Sequence, residues 1–92
     1  MTIDKVIYSK EALKFIKNSD AKLKNIIKEQ IEKLKKYPPK GDIKNMQGYS
    51  DGTKRLRFGK YRILFRYDED GTLLILQIIN IGPRGDIYKW WR

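Results

Sequence analysis

The sequence contains no cysteine and no histidine. The absence of cysteine excludes disulfides and thiolate metal sites, so packing alone must stabilise the fold, as is usual in a reducing cytoplasm. The absence of histidine removes the side chain that most often exchanges protons near neutral pH, and it removes the commonest metal ligand. The 11 carboxylates are scattered without the spacing of a metal cage. We therefore expect no metal and no cofactor.

The chain also lacks long hydrophobic runs. Its first residues, MTIDKVIYSKE, do not contain the uninterrupted apolar segment of a signal peptide, and no stretch reaches the roughly 20 residues that a membrane helix needs. The glycine-rich motifs of phosphate loops and dinucleotide sites are absent as well. We expect a cytoplasmic protein without membrane contact, and we predict a single domain over residues 1–92.

Positive charge is what the sequence has in excess. There are 21 Lys and Arg residues against 11 Asp and Glu residues, which gives a formal net charge of +10. A field of this strength on a small domain favours a polyanionic partner, whereas the simpler explanation is a basic surface that keeps the protein soluble. From Thr53 to Tyr67 the chain has six cations and no acid: Lys54, Arg55, Arg57, Lys60, Arg62 and Arg66. This concentration in one segment favours a binding surface.

Hydrophobic spacing predicts a strand and two helices in the first half of the chain. Ile3 to Tyr8 is typical of a short strand, and it ends at Ser9, a residue suited to cap a helix. Helices are predicted from Lys10 to about Lys17 and from Ala21 to about Lys36, because apolar residues recur there at helical spacing. An Asn-Ser-Asp cluster separates the two helices, and a pair of prolines prevents continuation of the second.

The second half of the chain predicts strands. A connecting loop is expected over residues 40–52, with Met46 and Tyr49 directed toward the core. Strands are predicted at Lys54–Phe58, Tyr61–Tyr67 and Thr72–Ile81, joined by hairpin turns at Gly59-Lys60 and at Asp68 to Gly71. The predicted fold is α+β in the order β-α-α-β-β-β, with two N-terminal helices on one face of a small, mainly antiparallel, twisted sheet.

The predicted turn at Gly59-Lys60 determines on which face of the sheet each cation lies. A two-residue type II′ turn at Gly59-Lys60 puts Phe58 opposite Tyr61. One face then carries Leu56, Phe58, Tyr61, Ile63, Phe65 and Tyr67 toward the core, and the other carries Arg55, Arg57, Arg62, Leu64 and Arg66. Arg57 lies directly across from Arg62, and opposed like charges destabilise a sheet by about 0.2–1 kcal/mol. A phosphate bound between the two guanidiniums removes this repulsion. Neutralisation by Asp51 or Asp86 from neighbouring loops is the competing explanation.

Catalysis without histidine or metal is feasible on RNA. The 2′-hydroxyl of RNA can attack the adjacent phosphorus, so a protein needs only to align the attack, remove a proton and stabilise the added negative charge. Arginines supply the last of these. A tyrosine whose pKa is lowered by nearby guanidiniums is a credible base, and Tyr88, four residues after Arg84, is the candidate. The alternative role of Tyr88 is to pack the tail on the sheet edge.

Two segments carry a resemblance to a known family. Thr53 to Phe65 reads TKRLRFGKYRILF, and Ile79 to Tyr88 reads INIGPRGDIY. In this combination the chain resembles the RelE/ParE superfamily of type II toxins, and most of all its RelE branch of ribosome-dependent ribonucleases. The resemblance implies that Arg57 and Arg62 hold the scissile phosphate. It further implies that Arg84 stabilises the transition state or protonates the leaving oxygen, and that Tyr88 activates the 2′-hydroxyl.

The resemblance also implies partners. A cognate antitoxin is expected to cover the basic surface in a toxin-antitoxin hetero-oligomer, and messenger RNA in the ribosomal A site is the expected substrate. RNA-binding roles are expected for Lys54, Arg55, Lys60 and Arg66. Two alternatives stay open, namely a ParE-like toxin that poisons DNA gyrase without cutting RNA, and a catalytically silent nucleic-acid-binding module. The aromatic tail, residues 88–92, either joins the antitoxin interface or closes the core.

Overall fold

The computed structural model describes residues 2–46 and 52–83. The elements, in chain order, are β1 (Lys5–Tyr8), α1 (Lys10–Lys17), α2 (Ala21–Leu34), β2 (Asp42–Asn45), β3 (Lys54–Phe58), β4 (Tyr61–Asp70) and β5 (Leu73–Pro83). The strands form one sheet in the order β1-β5-β4-β3-β2. β1 pairs with β5 in parallel, and the other three pairings are antiparallel. The predicted α+β fold with two N-terminal helices is confirmed.

Local capping sets the beginning of both helices. The hydroxyl of Ser9 accepts a hydrogen bond from the Ala12 N–H at 3.0 Å, and the carboxylate of Asp20 accepts one from the Leu23 N–H at 2.8 Å. Each bond satisfies a backbone donor that has no partner inside its helix. Both helices therefore begin where their caps predict. No helix within the described ranges is long and apolar enough to cross a membrane.

The second helix ends at Leu34, close to its predicted end near Lys36. After Leu34 the chain pairs with the N-terminal segment instead, because the Ile3 N–H donates to the Lys35 carbonyl at 2.8 Å and Thr2 forms a β-bridge with Lys36. These long-range backbone bonds replace the last helical turn.

The segment predicted as a loop over residues 40–52 contains a strand. β2 pairs antiparallel with β3, with Asp42 opposite Arg57 and Lys44 opposite Arg55. Aspartate and asparagine disfavour strands intrinsically, so the pairing with β3 imposes this conformation. Over residues 2–46 and 52–83 the element order is therefore β-α-α-β-β-β-β, one strand more than predicted. Met46 is half-buried and is not among the residues that pack against the core, and Tyr49 lies outside the described residues.

The hairpin between β3 and β4 has the predicted register. Gly59 has φ of 58° and Lys60 does not have positive φ, as a type II′ turn requires. Phe58 lies opposite Tyr61, and Arg57 lies opposite Arg62. The second hairpin differs from the prediction, since Asp68 to Asp70 belong to β4. The turn there is Gly71-Thr72, with Gly71 at φ of 62°.

The core lies between the helices and one face of the sheet. Its buried side chains come from both layers: Ile3, Ala12, Ile27, Ile31, Leu34, Leu56, Ile63, Phe65, Leu76, Ile78 and Ile81. Fully burying one of the isoleucine, leucine or phenylalanine side chains contributes about 1.5–3 kcal/mol. The face predicted to pack against the helices does so. The Tyr67 hydroxyl joins the two layers by donating to the Leu34 carbonyl at 2.6 Å.

A β-bulge interrupts the pairing of β4 with β5. Leu64 lies opposite Asn80 whereas Phe65 lies opposite Ile78, so Ile79 is an extra residue on β5. The Ser9 hydroxyl donates to the Ile79 carbonyl at 2.6 Å, which ties the bulge to the beginning of α1. Without the extra residue Asn80 would point to the helices. The bulge thus moves Asn80 to the opposite face.

Candidate functional site

Four strands bring the predicted cations together on the face away from the helices. One row across the sheet consists of Asp42, Arg57, Arg62 and Gly82, from β2, β3, β4 and β5. The next row consists of Lys44, Arg55, Leu64 and Asn80. We define the arginine face as the surface that carries Arg55, Arg57, Arg62, Leu64 and Arg66. The opposition of Arg57 and Arg62, predicted from the turn, is present.

An aspartate compensates part of this charge. Asp42 places one carboxylate oxygen 2.7 Å from Nε of Arg57 and the other 3.8 Å from Nη1 of Arg55. Acid neutralisation was the alternative to phosphate binding, and it holds in part here, although the acid comes from β2. Asp51 and Asp86 both lie outside the described residues. Since Arg57 is 54% exposed, this ion pair contributes about 0.2–1 kcal/mol at most.

Arg62 is buried, whereas Arg57 is exposed. Arg62 is only 8% exposed, and its Nη1 donates to the carbonyls of Tyr61 at 3.0 Å and of Gly59 at 3.4 Å. Among the residues that the structure describes, no carboxylate pairs with it. A buried charge is costly unless it is paired, and carbonyl dipoles offset only part of that cost. Arg62 is therefore a buried guanidinium whose charge only backbone carbonyls offset among the described residues.

The other predicted cations lie around this centre. Arg66 is on the arginine face, with its Nε 3.2 Å from Asp68, which also accepts from Gln77. Lys54 lies on the helix side, because it is opposite Phe65; its Nζ donates to Asn45 at 2.8 Å. Lys60 is at the hairpin tip, 5.5 Å from the ring centre of Tyr61. Arg84 and Tyr88 lie outside the described residues.

Two polar residues of the arginine face, Asp42 and Asn80, were not predicted from the sequence. Asp42 stands in a segment predicted as a loop. Asn80 stands in a strand whose bulge has no signature in the sequence, and it is 8% exposed, with Oδ1 accepting from the Ile81 N–H at 2.9 Å. Only the isolated Asp-Ile-Lys alternation before the glycine-rich stretch hinted at a strand at Asp42.

The available chemistry is that of guanidinium groups and amides. Within residues 2–46 and 52–83 there is no group of three or more Asp or Glu residues that could hold a metal ion. Tyr67 is unsuited to act as a base, because burial and, to a smaller extent, the neighbouring Tyr37 raise its pKa to about 12. It also lies on the helix side. The arginine face can thus bind an anion and stabilise negative charge.

Comparisons with known proteins agree with this architecture. The family model described as the ParE toxin of the type II toxin-antitoxin system parDE matches residues 6–88. Comparison with curated proteins gave no match. The chain is similar to the RelB-RelE antitoxin-toxin complex from Methanococcus jannaschii, with 26% identity, a TM-score of 0.65, and coverage of 94% of this chain and 99% of that chain.

Two further solved structures are similar. The archaeal RelE-RelB complex from Pyrococcus horikoshii OT3 has 25% identity and a TM-score of 0.69, and the match covers 92% of this chain and 98% of that chain. The YoeB/ParE toxin from Agrobacterium tumefaciens has 20% identity and a TM-score of 0.72, and the match covers 86% of this chain and 97% of that chain; this likeness supports the fold alone. Because the family model spans nearly the whole chain, the chain belongs to the ParE toxin family of type II toxin-antitoxin systems, within the RelE/ParE superfamily.

Proposed function

We propose that this toxin is a metal-independent endoribonuclease that cuts messenger RNA in the ribosomal A site and so inhibits translation. The observation that carries the proposal is the state of Arg62, a cation that is 8% exposed and opposite Arg57, with no carboxylate partner among the described residues. A phosphate would neutralise Arg62 and relieve its repulsion with Arg57.

In this proposal the two arginines act on the phosphate. Arg57 and Arg62 hold the scissile phosphate, and their positive charge stabilises the pentacoordinate species that forms when the 2′-hydroxyl attacks. Removal of one such stabilising group typically lowers kcat by about 10²–10³-fold. Arg55, Lys60 and Arg66 contact the flanking backbone, and Lys54 does so from the beginning of β3.

The proton transfers are assigned to the C-terminal segment. Tyr88 removes the proton of the 2′-hydroxyl, and Arg84 stabilises the transition state or protonates the leaving 5′-oxygen. These roles come from the resemblance of INIGPRGDIY to the RelE branch. The ribosome supplies the alignment of the RNA, and such alignment can account for a large part of the rate enhancement.

A cognate antitoxin is the proposed protein partner. The two archaeal structures that this chain resembles are complexes of RelE with RelB. With a net charge of +10, this chain attracts an acidic segment that can wrap its surface. Together they would form a toxin-antitoxin hetero-oligomer.

Gyrase inhibition is the second candidate function. It is favoured by the family model, which is that of the ParE toxin, and by the ion pairs of Asp42 with Arg55 and Arg57, which leave fewer cations for RNA. A ParE-like toxin would bind DNA gyrase and would not cut RNA.

Mapping of cleavage sites distinguishes the two. Primer extension on a messenger RNA in a translating extract should reveal cuts at A-site positions with the wild-type protein. Arg57→Ala, Arg62→Ala and Tyr88→Phe should each reduce them by about 100-fold or more. Lys22→Ala removes one exposed charge from α2 and should leave cleavage unchanged. If no cuts form while translation continues, the ribonuclease proposal fails, and a gyrase supercoiling assay decides the second candidate.

A further inference from the structure

Two polar side chains on the arginine face are buried without full hydrogen bonding. Arg62 and Asn80 are each 8% exposed. They are also the polar residues that flank Leu64, which is completely buried, on the sheet face opposite the helices. Buried polar groups in native proteins nearly always have partners, so a group that lacks one indicates an absent ligand or water.

Register brings the two side chains close together. Arg62 lies opposite Gly82, and Asn80 is two residues before Gly82 on the same strand and face. Diagonal neighbours of this kind are roughly 7–8 Å apart at their backbones, within reach of a long side chain. Because Gly82 has no side chain, β5 presents only backbone directly beside Arg62. The bulge at Ile79 is what puts Asn80 on this face.

Both residues have hydrogen-bond donors for which the described residues provide no acceptor. The Asn80 amide oxygen accepts from the Ile81 N–H at 2.9 Å, which fixes the side chain and identifies the other amide atom as nitrogen. Within the described ranges nothing accepts a hydrogen bond from this nitrogen. The hydrogen bonds of Arg62 are made through Nη1 to two carbonyls; its Nε and Nη2 have no acceptor among the described residues.

We propose that Asn80 and Arg62 form a phosphate subsite, in which the Asn80 amide donates to one oxygen and the Arg62 guanidinium donates to another. A neutral donor suits this position, because a third cation beside Arg57 and Arg62 would add repulsion, whereas an amide adds a hydrogen bond without charge. Asn80 is then a further substrate-contacting residue. This inference rests on the proposed ribonuclease function only for the identification of the phosphate as that of RNA.

Nuclear magnetic resonance of the free protein tests the subsite with inorganic phosphate as the probe. Titration of phosphate should shift the Asn80 side-chain amide signals and the Arg62 Nε–H signal together, with one shared Kd. Asn80→Asp retains the acceptor for the Ile81 N–H and replaces the donor by a carboxylate, so it should weaken phosphate binding by at least about tenfold. Asn80→Ala removes the donor without adding charge and should weaken it about fivefold.

Asn25→Asp provides the matched control. It makes the same change in charge at an exposed position on α2, and its phosphate Kd should stay within about twofold of the wild-type value. The inference fails if phosphate shifts the arginine signals but not the Asn80 amide, if nothing shifts, or if Asn80→Asp behaves as Asn25→Asp does. The phosphate titration of the wild-type protein tests the subsite even if a variant does not fold.

The outcomes for the subsite and for the ribonuclease proposal are separate. If phosphate binds at Asn80 and no messenger RNA is cut, the ribonuclease proposal fails and the subsite stands. If messenger RNA is cut at A-site positions and the Asn80 signals do not respond, the subsite is refuted and the ribonuclease proposal stands.

Discussion

Replacement of Asp42 by asparagine should destabilise the protein and at the same time strengthen its binding of anions. The substitution keeps the size of the side chain but removes the carboxylate that lies 2.7 Å from Arg57 and 3.8 Å from Arg55. Arg57 then faces Arg62 without a compensating charge. Folding should become less favourable, and a bound anion should restore part of what is lost.

The expected magnitude follows from two contributions. The ion pair joins side chains that are 54% and 39% exposed, so its loss costs about 0.2–1 kcal/mol. The repulsion between opposed arginines adds about 0.2–1 kcal/mol. A total near 1 kcal/mol corresponds to a decrease of about 0.3–1 M in the urea midpoint. Because the Debye length falls to about 3 Å in 1 M salt, most of this decrease should disappear there.

Urea unfolding at low and high sodium chloride measures this effect. Asp70→Asn is the control, since Asp70 is an exposed acid at the other end of the β4–β5 hairpin and no described cation pairs with it. Added phosphate should raise the midpoint of Asp42→Asn more than that of the wild type. A destabilisation equal to that of Asp70→Asn, or one that salt does not change, would refute the role assigned to Asp42.

Two further predictions concern contacts that hold the layers together. Burial raises the pKa of Tyr67 to about 12, so the unfolded chain loses this proton first: the stability contribution is complete below about pH 10 and is lost as the pH rises to 12. Because the Tyr67 side chain is only partly buried, the decrease should be about 1–2 kcal/mol, and urea unfolding should detect it in the wild type and not in Tyr67→Phe. Ser9→Ala should cost about 1–2 kcal/mol more in thermal unfolding than Asp20→Ala, because Ser9 caps α1 and also donates to Ile79, whereas the Asp20 bond is a cap alone.

The parts of the fold that the sequence predicted are those with local causes. Ser9 and Asp20 mark the starts of α1 and α2 because each caps the residues that directly follow it. Gly59 defines the β3–β4 hairpin because a type II′ turn needs positive φ at that position. Since the turn also fixes the register, the opposition of Arg57 and Arg62 could be predicted from a short segment alone.

The parts that the sequence did not predict depend on distant residues. β2 exists because β3 offers it a partner, and its Asp-Ile-Lys-Asn sequence has little strand preference of its own. Directly after α2, Lys35 and Lys36 pair with Ile3 and Thr2 from the start of the chain. The bulge at Ile79 is held by Ser9, 70 residues earlier in the chain. Asp42 and Asn80, which these features place on the arginine face, were accordingly missed.

The stability of the arginine face depends on strands that are distant in the sequence. An isolated β-hairpin is marginally stable at best, and the opposition of Arg57 and Arg62 makes the β3–β4 hairpin less stable still. The pairing of β2 and β5 on either side must therefore offset that repulsion, β2 through Asp42 and β5 through the core that it shares with the helices. The arginine face can then form only when the whole sheet has formed. The same requirement explains why Arg62 can be buried opposite another cation, since the folded sheet holds the two strands in register.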